Sequence, residues 1–118
     1  MTDLIALAER CEAADGPSFV LEQEIARAVF PILAEQGYGP AYTASIDAAM
    51  TLVPKGYFWT AGFCGLTCHA SVGPDNKHFA RDYLESHEPV DVDIPNPSTP
   101  ALALCAAALR ALAAKETD

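Results

Sequence analysis

Apolar positions recur every three or four residues at both ends of this chain and alternate one by one in its middle, so the pattern reads helices, then strands, then a helix. Residues Asp3–Ala14 put Leu4, Leu7, Ala8 and Cys11 on one stripe, with Thr2 available as a cap and Asp15-Gly16-Pro17 as a stop. A second helix is expected after Ser18, with Leu21, Ile25, Ala28 and Val29 inward and Pro31 barring extension past Phe30. Gln36–Pro40 reads as a loop. Thr43 or Ser45 is the expected cap of a third helix to about Val53, with Ile46, Ala49, Met50 and Val53 inward and Asp47 near the positive end of the helix dipole. Pro54-Lys55-Gly56 closes it.

The period then changes to two. Tyr57, Trp59, Ala61 and Phe63 share one face of a strand and Phe58, Thr60 and Gly62 the other, so both faces are expected to be at least partly covered. His69–Val72 reads as the returning strand of a hairpin, with Gly65 and Thr67 in the connection, and Gly73-Pro74-Asp75-Asn76 as a turn. His78–Glu88 has no clear period. Beyond it Val90, Val92 and Ile94 point one way and Asp91 and Asp93 the other, before Pro95-Asn96-Pro97 leads on. In Ser98–Lys115, Thr99 caps a helix, Pro100 takes its first position, and Leu102, Cys105, Leu109 and Leu112 form a face whose surrounding alanines permit close packing on a sheet.

This order predicts one α+β domain over residues 1–118: a small antiparallel sheet of about three strands sandwiched by helices in two or three layers. The segments PAYTASIDAAMTLVPKGYFW (Pro40–Trp59) and TPALALCAAALRA (Thr99–Ala111) carry a resemblance. With the spacing Tyr42-Thr-x-Ser45-x-Asp47-Ala-Ala, then Leu52-Val-Pro54-x-Gly56-x-x-Trp59, and the opening Leu4–Val29, the chain resembles the phage ABA-sandwich domain family of small bacteriophage and prophage proteins. The likeness thins between Thr60 and Pro97. It implies a helix–sheet–helix sandwich in a phage-associated protein and carries over no catalytic or binding residue.

Composition narrows the function. The formal net charge is −9, from 16 acids and 7 Lys and Arg, with no basic cluster, which argues against direct binding to nucleic acid or an anionic membrane. The acidity serves solubility, or an acidic face that docks on a basic protein surface. The N-terminus mixes Asp3, Glu9, Arg10 and Glu12 with its apolar residues, unlike a signal peptide, and the longest apolar run, Ala101–Leu109, is too short to span a bilayer. A cytoplasmic location in a bacterial host follows as the expectation.

Candidate chemistry is sparse. Cys64-Gly65-Leu66-Thr67-Cys68-His69 brings two thiols and an imidazole into six residues, donors suited to zinc, and His78 or His87 could add to them. Structural zinc sites pair two such knuckles, however, and adjacent Cys68 and His69 on a strand point to opposite faces. No metal or cofactor is therefore expected, with Cys11 and Cys105 read as small buried hydrophobes. A thiol nucleophile at Cys68, served by His78 or His87, lacks any strained turn to present it. Asp91 and Asp93 could act as an acid–base pair but read better as the wet face of an edge strand. The leading expectation is a non-enzymatic protein that binds a host or phage protein through a surface, with Glu22, Glu24, Asp91 and Asp93 as the partner-facing acids and a homo-oligomer as a further arrangement. A counter-defence role, in which the acidic protein fills the basic groove of a host nuclease complex, is its most concrete form. A nucleotide held between subunits would need Lys55, Lys77 and Arg81 to converge. The alternatives are a virion or assembly component and a small zinc- or thiol-dependent enzyme.

Overall fold

The computed structural model describes residues 3–29, 40–64, 66–95 and 99–116. It is α+β, with a three-stranded antiparallel sheet and helices stacked on it. Helix α1 spans Leu4–Ala13, and its cap is Asp3, whose Oδ1 accepts from the N–H groups of Ile5 and Ala6 at 3.0 and 3.3 Å. The expected cap Thr2 lies outside the described residues. Helix α2 spans Phe19–Val29, and Ser18 Oγ accepts from Leu21 N–H at 3.2 Å as expected of its cap. Its buried stripe is Leu21, Glu22, Ile25 and Ala26, while Ala28 and Val29 are only partly buried. The stop at Phe30 and Pro31 and the loop at 36–39 fall outside the described residues.

The third helix is shorter and starts later than its pattern suggests. Helix α3 is Ile46–Ala49, capped by Ser45, whose Oγ accepts from Ala48 N–H at 3.3 Å, and it tightens into a 3-10 turn at Met50–Leu52. Thr43 is therefore not a cap; it lies buried before the helix. Ala49 is buried as expected and Val53 half-buried, but Ile46 and Met50 are exposed and Leu52, in the tightened turn, is buried instead. Pro54 holds Val53 in extended backbone, and Gly56 takes φ +85°, a left-handed conformation open to glycine.

Strands β1 (Tyr57–Cys64) and β2 (Thr67–Pro74) pair antiparallel, with Cys64 opposite Thr67 and Tyr57 opposite Pro74, and β2 pairs in turn with β3 (Val90–Pro95). The sheet order is β1-β2-β3. Thr67, Gly73 and Pro74 thus belong to the ladder, and the turn falls on residues 76–78 instead. The stretch without a clear period contains helix α4, Arg81–Ser86. Phe79, Tyr83 and His87 recur every four residues there and form a stacked column, with ring centroids 4.4 and 3.9 Å apart, and Tyr57 meets Phe79 edge-on.

Helix α5, Pro100–Glu116, is the centre of the molecule. Thr99 Oγ1 caps it by accepting from Leu102 N–H at 3.1 Å. Every residue from Ala101 to Leu109 is buried, so this helix is covered all round and not only along the Leu102, Cys105, Leu109 stripe; Leu112 is half-buried. One side lies on all three strands and the other on α1, because alanines let both layers approach. Arg110 forks onto Glu12 of α1, Nε to Oε2 at 2.7 Å and Nη2 to Oε1 at 2.8 Å, and that bond chiefly raises the guanidinium pKa. The core face of the sheet presents Cys68, Ala70, Val72, Val92 and Ile94, all buried, with Tyr57, Trp59 and Ala61 half-buried. Among the described residues no helix is long and apolar enough to cross a membrane.

Candidate functional site

The period-two pattern that buries one face of the sheet turns the other outward. On it Thr60 lies opposite Ser71, which lies opposite Asp91, and Gly62 lies opposite His69, which lies opposite Asp93. Phe58, Thr60, Asp91 and Asp93 are exposed and Gly62, His69 and Ser71 half-buried. His69 Nδ1 bonds Asp93 Oδ1 at 3.0 Å, which fixes the ring against its cross-strand neighbour. A Cβ built on Gly62 would meet nothing within 4 Å, so the face beside His69 is open and flat. At the far end Gly73 packs under Pro89 and Phe58, where a Cβ would come within 2.9 Å of Pro89 Cα. A flat, wet face of this kind offers hydrogen bonds and negative charge to a partner. It does not enclose a substrate.

The four acids expected to face a partner separate into three environments. Asp91 and Asp93 stand on the open face. Glu24 of α2 pairs with Arg10 of α1. Glu22 is buried: its Oε2 accepts from Thr43 Oγ1 at 2.6 Å and from Thr43 N–H at 3.2 Å, so its carboxylate serves the interior and not a partner. Thr43 Oγ1 also accepts from Ser18 N–H at 2.8 Å, and Thr43 C=O accepts from Thr99 Oγ1 at 3.2 Å. One residue thereby ties the starts of α2 and α5 to the segment before α3. Cap-like spelling at Thr43 and Ser45 hid this role, and no local pattern distinguishes a cap from a buried tie.

The cysteine and histidine candidates do not gather. Cys68 is fully buried on the core face, and burial pushes its thiol pKa up, while His69 points to the open face; the side chain of Cys64 lies outside the described residues. His78 sits in the turn 4.0 Å from Asp75, and His87 stacks on Tyr83. Among the described residues no group of three or more His, Cys, Asp or Glu is placed to hold a metal ion. Cys105 donates to Tyr42 C=O at 3.2 Å, and its pKa is raised well above the thiol range, first by its hydrogen bond with Cys11, then by burial and by the charges of Cys11 and Glu22. Such thiols stay protonated and are poor nucleophiles.

Lys55, Lys77 and Arg81 do fall at one end of the molecule, where Asp75 N–H donates to Gly56 C=O at 3.0 Å. Arg81 there is bonded to Glu85 at 3.0 Å. A groove of about 290 Å³ between α1 and α2 is lined by Asp3, Ala6, Leu7, Arg10, Glu24 and Arg27. Its two acids and two bases leave no net charge to select a charged ligand. The open sheet face is therefore the site with a distinct chemical character. No family model, curated protein or solved structure matches this chain.

Proposed function

We propose that this chain is a non-enzymatic binding protein, made by a phage or prophage, that lays the open face of its sheet on a basic protein surface such as the nucleic-acid groove of a host nuclease complex. The supporting observation is the placement of Asp91 and Asp93, exposed and side by side on a solvent-facing strand, with Phe58 as an apolar anchor on the same face. A net charge of −9 steers such a protein toward a basic groove and away from phosphate. Strands of eight residues or fewer, three abreast, span roughly 14 by 27 Å at the usual spacings, on the order of 400 Å². That is about half of what each side of a standard interface buries.

The test is capture from lysate of a phage-susceptible bacterium, comparing the chain with Asp91→Lys/Asp93→Lys and with Glu9→Lys on the exposed side of α1. A partner retained by the wild type and Glu9→Lys, released by moderate salt, and lost with the double reversal supports the reading. Equal retention by the double reversal overturns it.

A further inference from the structure

We propose that β1 is the edge through which two copies of this chain join into one continuous six-stranded sheet, antiparallel and centred on Ala61. The sheet has two edges and they are built differently. β3 carries Asp91, Asp93 and a terminal proline, the devices that keep an edge from pairing with another chain. β1 reads YFWTAGFC, eight residues with neither a charge nor a proline. Among the described residues no strand lies on its outer side. In an antiparallel ladder every second residue turns its N–H and C=O away from the neighbouring strand; Tyr57 N–H is taken by Pro54 C=O at 3.1 Å, and among the described residues no strand takes up the groups further along β1.

Charge leaves β1 as the place where a second copy meets least repulsion. A chain of net charge −9 is repelled by its own copy over most of its surface, and an uncharged run of eight residues is where that repulsion is least. An antiparallel strand is also complementary to itself across a two-fold axis. Centring that axis on Ala61 keeps core-facing side chains on the core face of both copies and sets Trp59 opposite the second copy's Phe63. Phe63 is 70% exposed in the single chain although it lies on the core face of its strand, and this pairing covers it. On the open face Thr60 meets the second copy's Gly62, which has room for it. The inference stands apart from the partner reading, yet it bears on it: two sheets abreast double the open face to about the area of a standard interface.

Light scattering over a concentration series reads the mass, expected to rise from the 12.5 kDa of the chain toward about twice that value. Trp59, the one tryptophan, reports the pairing by a blue shift in emission over the same series. Phe63→Lys, at an exposed position that leaves folding intact by circular dichroism, is expected to hold the mass at the monomer and abolish the shift. Asp93→Lys on the other edge is expected to change neither readout. A wild-type mass that stays monomeric overturns the proposal, whether or not a foreign strand binds β1. A dimer indifferent to Phe63→Lys, or one lost with Asp93→Lys, overturns it as well.

Discussion

Thr43 ties three separate segments of the chain together. Its hydroxyl donates to a buried carboxylate and accepts from the start of α2, and its carbonyl receives the cap residue of α5. Replacing it with valine keeps the shape and leaves Glu22, buried but for 7% of its surface, with one donor fewer. An unsatisfied buried acceptor costs about 1–3 kcal/mol, more when it is charged. Thr43→Val is expected to lower stability by about 3 kcal/mol in urea unfolding, and Thr43→Ser to restore most of it. Thr51→Ala, which removes an exposed hydroxyl bonded only to Ala48 C=O, is expected to change it by less than about 0.5 kcal/mol. A similar loss for both would show that Glu22 does not depend on Thr43.

At the scale of elements, α5 and the sheet behave as a matched pair. The alanines of α5 from Ala101 to Ala111 are buried, so each marks a close approach of one layer to the next. Ala106→Leu adds volume where none is free, and overpacking of this kind costs about 1–3 kcal/mol. The expected result is a lower urea midpoint with the helical signal retained. Leu102, Cys105 and Leu109 were readable as buried from their spacing. That the opposite side of the same helix is equally buried was not, because alanine is compatible with both solvent and core. α4 escaped a periodic reading for a different reason: six residues are too few to establish a period, and the column Phe79, Tyr83, His87 extends beyond its ends at both sides.

For the whole molecule, the buried thiols link stability to pH. The folded-state pKa values of Cys105 and Cys68 are raised above the unfolded value, so the folded state holds those protons more tightly. Their contribution is fully present below about pH 8.5 and is lost as pH rises through the folded-state values, by at most about 1.4 kcal/mol per pH unit for each thiol. Urea midpoints measured from neutral to alkaline pH are expected to fall, and Cys105→Ala is expected to fall less steeply than the wild type. Parallel slopes would remove Cys105 from the account. The effect is global because Cys105 sits where α1, α5 and the Tyr42 carbonyl meet.

Local rules were enough for the α+β class, the hairpin, the acid-bearing third strand and the caps at Ser18 and Thr99, since each depends on period, propensity or a side chain bonding its own backbone a few residues away. Tertiary structure alone decided that Glu22 faces inward, that Ser45 and not Thr43 caps α3, and that α5 is enclosed. It also decided that Cys68 and the three histidines stay apart. Those outcomes turn on contacts between residues distant in the chain, such as Glu22 with Thr43 and Thr43 with Thr99, where burial changes the free energy of a polar group by more than any local preference does.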